Sequence, residues 1–441
     1  MKTPIWDFVK DYASGDKSRL HMPGHKGHGP LGFEKFDITE FDGADSLFHA
    51  IGIIKESEEN ASKIFDTGSS LFSCEGSSLS VRAMLYLAFV NREENQGDHI
   101  LATRNAHSSF ASASALIGFD VMWLDKGTHL SCDITPVDLE NVLGRVDKMP
   151  FGVYVTSPDY LGNMLDIEGL SKVCKKYSVP LLVDNAHGAY LKFLDKDVHP
   201  ITLGADMCCD SAHKTLPVLT GGGYLHIAKG KDKYIEGGKD AMRLFASTSP
   251  SYLILCSLDL CNNYLATSFK AELDSACKNA KELKNQLAVM GFTLIGDEKT
   301  KITIATKNYG YYGYEIAEIL KRNDVLVEFY DPDYVVLMIS TSTTNENLQK
   351  VRSVLSSVKK KPEITDHINE IKLPKKQFTI RDATLMPSEE IDIDSALGRV
   401  LAASCVSCPP AVNLINAGEG FDKEIIKACK YYGICKVRVV K

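Results

Sequence analysis

The sequence predicts an α/β protein in which a large domain with a mostly parallel sheet precedes a smaller α+β domain. Three observations carry this. Short apolar runs bounded by turn residues recur between His99 and Ala228, each with the length of a buried strand. Helical patterns, such as those from Ala106 to Ile117 and from Ile167 to Tyr177, separate most of them. Beyond Met290 the apolar runs shorten and alternate with helical patterns near Tyr314 to Arg322 and Asn345 to Val358. A chain of 441 residues has room for two or three such domains.

Taken in order, residues 1–50 are glycine-rich and carry little periodicity. They include His21-Met-Pro-Gly-His25-Lys-Gly27, which no helix interior tolerates, and they read as an extended N-terminal arm. Apolar spacing predicts a helix from Ile51 to Phe65, and Gly76-Ser77-Ser78 opens a second through Leu79 to Val90. Strands are expected from His99 to Thr103, Asp120 to Leu124, Phe151 to Ser157, Pro180 to Asn185, Asp206 to Ser211 and Gly223 to Ala228. The large domain is placed at 51–250. After Ser249-Pro250 a helical stretch leads towards Met290 into a small domain, 251–365, with strands around Thr293, Ile302 to Thr306, Val325 to Tyr330 and Val335 to Ser340. Lys359-Lys-Lys-Pro362 reads as a surface connection to a last segment, 366–441, which ends in one more helix and strand.

Composition narrows the function classes. A formal charge of -7 gives no footprint for nucleic acid, and 44% hydrophobic with 24% charged residues is the balance of a soluble globular protein. No apolar run approaches the length of a membrane span, and Met1-Lys-Thr-Pro-Ile-Trp6 lacks a signal-peptide pattern, so a cytoplasmic location without membrane contact is expected. Several cysteines, Cys208 and Cys209 among them, lie in apolar runs where thiols act as small hydrophobes. Cys405 and Cys408 with Cys429 and Cys435 invite a zinc reading, but the second pair is spaced too widely for a zinc knuckle, and no metal is expected.

Ligands of open α/β sheets sit at the carboxyl ends of strands, and the chemical candidates fall at such ends or at helix starts. The run Pro180-Leu-Leu-Val-Asp184 ends in a carboxylate and continues into Asn185-Ala-His187-Gly188. A later apolar run leads into Ser211-Ala-His213-Lys214-Thr-Leu-Pro217. An Asp at one strand end and a Lys at a nearby one suit pyridoxal 5'-phosphate (PLP), which needs a carboxylate to keep its ring nitrogen protonated and an amine for a Schiff base. Among hydroxyls and an imidazole, and close to a cationic ring, the Lys214 amine would be less basic and so available at neutral pH. Gly76-Ser77-Ser78, at a helix start, offers N–H groups, hydroxyls and a positive dipole end to a phosphate, although such a sequence is also an ordinary cap. His107 can stack on a ring or simply end its helix. Ser211 and His213 can hold the phosphate, position the substrate carboxylate or deliver a proton.

A family resemblance rests on His21-Met-Pro-Gly-His-Lys-Gly27, Gly76-Ser77-Ser78, Arg104-Asn-Ala-His107, Thr156-Ser-Pro158 and Asp184 with Ala186-His187-Gly188. It extends through Ser211-Ala-His-Lys-Thr-Leu216, Ser247-Thr-Ser-Pro-Ser-Tyr252, and Pro409-Pro410 with Gly418-Glu419. On these stretches the chain resembles, nearly end to end, the fold-type-I (aspartate-aminotransferase-like) PLP decarboxylases of ornithine, lysine and arginine, in their shorter bacterial form. The resemblance implies that Lys214 carries the cofactor, Asp184 pairs with the pyridine nitrogen and His107 stacks on the ring. Gly76, Ser77, Ser78, His187, Ser211 and His213 would complete the cofactor site. It also implies decarboxylation of a basic L-amino acid (arginine, lysine or ornithine) to its amine, a place in polyamine biosynthesis, and a homodimer with the active site at its interface. The His25 loop and the Thr248 to Tyr252 segment would lie near that interface. His25, Tyr252 and Glu419 are the substrate candidates, Glu419 for a distal cationic group. Lys214 or His213 would return a proton to Cα.

The chain departs from the family pattern at Asn185, where Glu is usual, at Ser108, where Lys is, and at Gly221, where Gln is. It departs again in Cys408-Pro-Pro-Ala411-Val-Asn413 and Ala417-Gly-Glu419. These positions fall where the family closes its substrate pocket. Two other readings stay open: different PLP chemistry, such as transamination or aldol cleavage, and a catalytically silent homologue that binds a partner.

Overall fold

The computed structural model describes residues 1–124, 132–368, 371–403, 405–408 and 412–441, with residues 405, 407 and 408 described by backbone alone. The Pro409-Pro410 motif and Ala411 lie outside the described residues, as do the side chains of Cys405 and Cys408.

Elements follow in the order α1 (Pro4–Ser14), α2 (Ile53–Phe65), β1 (Ser69–Ser73), α3 (Gly76–Val90), β2 (His99–Thr103), α4 (Ser108–Ile117), β3 (Asp120–Leu124), α5 (Pro136–Leu143), β4 (Val153–Thr156) and α6 (Ile167–Lys176). Next come β5 (Leu181–Asp184), β6 (Met207–Asp210), α7 (Ala212–Thr215), β7 (Gly223–Ile227), α8 (Asp232–Phe245), α9 (Tyr252–Leu265), α10 (Phe269–Val289), β8 (Thr293–Ile295), β9 (Lys301–Ala305) and α11 (Gly313–Lys321). The chain closes with β10 (Phe329–Tyr330), β11 (Tyr334–Met338), α12 (Asn345–Ser356), α13 (Ile380–Leu385), β12 (Ser388–Asp392), β13 (Cys405–Cys408), β14 (Val412–Asn416), α14 (Lys423–Tyr431) and β15 (Lys436–Val440).

The large sheet has seven strands and the α/β class is the expected one. The chain divides into two compact units, 1–98 with 146–154 and 167–270, and 99–145 with 155–166 and 271–441.

In the first unit β5 and β6 are parallel, while β7 runs antiparallel to both β6 and β1. Every residue of β5 and β6 is buried, as strands covered on both faces require. The edge strand β1 is not legible as a strand, because Ser69-Ser-Leu-Phe-Ser73 reads as polar. Its serines tolerate burial because their hydroxyls are used: Ser70 Oγ lies 2.8 Å from His226 Nδ1, and Ser73 Oγ donates to Gly76 O at 2.7 Å. The helix α3 packs on β6 and β7, and its N-terminus lies beside the carboxyl end of β6 and the amino end of β7.

The expected extended arm is partly helical. Ile5, Val9 and Tyr12, at i, i+4 and i+7, form the buried stripe of α1, which packs on α9 and α2. Its orphan N-terminal amides are met from α9: the fully buried Asp259 carboxylate accepts from Ile5 N and Trp6 N, both at 2.9 Å, and from the Ser57 hydroxyl at 2.5 Å. Asp259→Ala would leave these buried donors unmet and should destabilise the protein by roughly 3 kcal/mol. Urea unfolding checks this, and an unchanged midpoint contradicts it.

In the second unit β2 and β3 are parallel, and a separate antiparallel sheet in the order β10-β11-β9-β8 packs with α10, α11 and α12 around Leu287, Ile302, Ile304, Leu320 and Leu355. The strand expected from Val325 to Tyr330 shortens to β10, since Val325 and Val327 pack on this core without a ladder partner. Of the cysteines weighed for zinc, Cys429 is buried in an apolar cluster and Cys435 is exposed. No helix among the described residues is long and apolar enough to cross a membrane.

Candidate active site

Strand alternation sorts the side chains at the ends of β5 and β6. Asp184 pairs in register with Cys209, and Cys209 Sγ lies 3.5 Å from Asp184 Oδ1. Cys208 and Asp210 therefore face the other way. The Asp184 carboxylate is 2% exposed; it accepts from Tyr154 OH at 2.9 Å and from Ala186 N at 3.1 Å. No cationic side chain among the described residues pairs with it. A buried carboxylate with neutral donors alone suits a cationic ring nitrogen, so Asp184 passes the test that a bound PLP sets.

The loops after β5 and β6 bring two candidates together. Lys214, in the single turn α7, places Nζ 3.1 Å from His187 Nε2. The neighbouring His213 has Nδ1 3.0 Å from Gly222 O, so Nδ1 carries the hydrogen and donates, leaving Nε2 as the working atom.

At the start of α3, Ser77 N donates to Ser211 Oγ at 3.3 Å, and the Ser211 hydroxyl donates to Ser77 Oγ at 2.8 Å. Gly76 has a φ of +65°, and Ser78 follows Ser77 in the first turn. Ser77 and Ser211 thus bring two hydroxyls to the start of α3, where a helix N-terminus could take an anion. Gly221 belongs to the same turn: it accepts from Gly76 N at 2.6 Å, its φ is +97°, and a Cβ there would lie 2.8 Å from Cys74 O. The departure from the family's Gln is therefore imposed by this chain's backbone.

His107, in the second unit, caps α4: its Nδ1 accepts from Ser109 N at 3.2 Å and lies 2.8 Å from Ser109 Oγ, and the residue is exposed. The helix-end reading thus describes these local bonds.

The three substrate candidates are engaged elsewhere. Glu419, expected to read a distal cation of the substrate, is 3% exposed and meets Arg104 instead: Arg104 Nη1 and Nη2 donate to its two oxygens at 2.8 and 3.0 Å, and Asn416 N adds a bond at 2.8 Å. Arg104 also donates to the Asn413 and Leu414 carbonyls, both at 3.2 Å. This buried bidentate pair places Arg104, and not a ligand's cationic group, against the carboxylate that was expected to read the substrate. Glu419→Ala should cost about 3–5 kcal/mol by leaving a buried guanidinium unpaired. A variant of unchanged stability but raised KM would restore the substrate role. Tyr252 is fully buried, and its hydroxyl donates to Asp45 O. His25 bonds within the first fifty residues, Nε2 lying 3.2 Å from Asp37 Oδ2 and Nδ1 accepting from Gly27 N at 3.0 Å.

Two departures placed near the pocket are also buried and bonded. Asn185 Nδ2 donates to Asp210 Oδ1 at 2.6 Å, and Asn413 Nδ2 donates to Ala106 O at 3.0 Å. Sequence reasoning missed Tyr154, whose only signal is its place two residues before the end of a strand beside Asp184.

A family model described as "Orn/Lys/Arg decarboxylase, major domain" matches residues 3–308. An arginine decarboxylase of Bacillus anthracis is 26% identical over 456 residues, covering 95% of this chain and 90% of that protein. One of Bacillus subtilis (strain 168) is 27% identical, covering 96% and 92%. Among solved structures, the constitutive lysine decarboxylase of E. coli superposes with a TM-score of 0.79 over 100% of this chain and 82% of that one, at 17% identity, a likeness of fold.

Proposed function

The chain belongs to the Orn/Lys/Arg decarboxylase family, and we propose that it uses PLP to remove the carboxyl group of a basic L-amino acid as CO2, leaving the amine. The observation that carries this is the buried Asp184 carboxylate, bonded by Tyr154 and Ala186 N without a cation, at the strand end next to the one that leads to Lys214.

When bound, PLP supplies an electron sink for the pair that the departing CO2 leaves at Cα. Lys214 is the residue to hold it covalently, Asp184 to face its ring nitrogen, and Ser77, Ser78 and Ser211 at the start of α3 to hold its phosphate. Gly76 shapes that turn, and His107 is the candidate for the ring face. His187 Nε2, 3.1 Å from Lys214 Nζ, can accept a proton from the ammonium and so free the amine lone pair. His213 Nε2, or Lys214 itself, is placed to return a proton to Cα as general acid. His25 and Tyr252 then order the N-terminal segment, and a second copy of the chain is expected to complete the site. Arginine is the first substrate to test, given the names of the two Bacillus relatives.

The test is a product screen with purified chain and added PLP, against arginine, lysine, ornithine, leucine and glutamate. Amine formation from a basic amino acid is expected. A keto acid as product would move the reading to transamination, and no turnover would move it to a partner-binding role.

A further inference from the structure

On the face of the sheet opposite Asp184, side chains from three segments converge. Cys208 and His226 stand directly opposite one another across β6 and β7, Asp210 follows two residues on from Cys208 on the same face, and His199 enters from the loop before β6. All four are 0% exposed. Both imidazoles bring Nε2 to the same carboxylate oxygen: His199 Nε2 is 3.1 Å and His226 Nε2 3.3 Å from Asp210 Oδ2, and Cys208 Sγ is 3.9 Å from His199 Nε2. The donor atoms of His199, Cys208 and Asp210 lie within 4.8 Å of one another. His226 Nε2 is fully buried, and its polar contact among the described residues is the one to Asp210 Oδ2.

We propose that His199, Cys208, Asp210 and His226 form a structural site for a divalent zinc-class cation, separate from the cofactor site. Zinc bonds of about 2.0–2.1 Å to nitrogen or oxygen and about 2.3 Å to sulfur imply edges of roughly 3.3 Å between nitrogen and oxygen and roughly 3.6 Å between nitrogen and sulfur. The two imidazole–carboxylate distances match, the Cys208–His199 edge is a few tenths of an ångström long, and His226, which stands outside the group of three within 4.8 Å of one another, has to swing towards the other ligands on binding.

The surroundings suit the same assignment. Asp210 Oδ1 is taken by Asn185, leaving Oδ2 to turn inward. His226 Nδ1 lies 2.8 Å from Ser70 Oγ, which is 2.7 Å from Thr67 Oγ1, the outer-shell chain that orients a ligating imidazole with Nε2 towards the metal. On binding, the Cys208 thiol gives its proton to solvent and Sγ bonds the metal. One thiolate, one carboxylate, two neutral imidazoles and a dication then sum to zero, which is the balance a fully buried group requires. The cation would tie β6 and β7 together beside the loop that carries Lys214.

The experiment uses full-length protein made without a metal-affinity step, stripped of cofactor so that its visible spectrum is clear, and dialysed against EDTA. Elemental analysis should find one zinc per chain, falling to a trace in Cys208→Ser and His226→Gln. Exchange with cobalt(II) should give a sulfur-to-cobalt charge-transfer band that is lost in Cys208→Ser and kept in the double variant Cys405→Ser/Cys408→Ser and in Cys435→Ser. If the Cys208 and His226 variants do not fold, the wild-type cobalt spectrum and these controls decide. Metal-free wild type, metal retained in both folded variants, or a band that follows Cys405, Cys408 or Cys435 each overturns the proposal.

Discussion

Replacing Lys214 with alanine should abolish the visible absorbance that appears when PLP is added to the protein, and should lower amine formation by about 10³-fold or more, within the range that positioned acid–base and nucleophilic groups supply. The residue is half-buried in α7 beside His187, and its neighbours Ser211 and His213 bond to the protein independently of its amine. Alanine therefore removes the amine without disturbing the serine hydroxyls at the start of α3. PLP should still bind weakly through its phosphate, and an added small amine should recover part of the rate. Wild-type absorbance and turnover in this variant would remove Lys214 from the chemistry.

The second large effect is expected at Asp184. Asparagine preserves its size: its Oδ1 can accept from Ala186 N while its Nδ2 donates to the Tyr154 hydroxyl, which can turn to accept, so the fold should hold. What it removes is charge. An adjacent opposite charge raises the pKa of a cationic nitrogen by about 1–3 units, so Asp184→Asn should weaken the electron sink and lower turnover by roughly 10- to 10³-fold. The absorbance of the bound cofactor should persist with an altered pH dependence. Tyr154→Phe is the matched control: it removes one hydrogen bond to the same carboxylate, worth about 1 kcal/mol, and should cost turnover far less. Equal losses in the two variants would mean that carboxylate position, not its charge, is what matters.

Much of this arrangement can be read along the chain, because local chemistry announces it. The runs ending at Asp184 and Asp210 are continuously apolar, as doubly covered strands are, and Gly76-Ser77-Ser78 carries its own helix-start signal. Hidden features depend on partners distant in sequence. The serines of β1 hide a buried strand, since partners such as His226 and the Gly76 carbonyl make their burial tolerable. The stripe of α1 is three residues in a glycine-rich window, and the carboxylate that caps it comes from α9. Glu419 illustrates the same limit: an acidic residue in a glycine turn reads as available, whereas its partner Arg104 lies 315 positions away. Asn185 looks like a pocket substitution only until strand alternation turns it towards Asp210.

The most direct test of decarboxylation follows the carboxyl carbon. Purified protein with PLP is given arginine, lysine or ornithine labelled at C1, with C1-labelled leucine as the control, and labelled CO2 is collected alongside the amine. The account predicts label release in equal amount to amine from one of the basic amino acids, little from leucine, and none in the Lys214→Ala protein. Amino-acid turnover with the label retained in the organic product would contradict it.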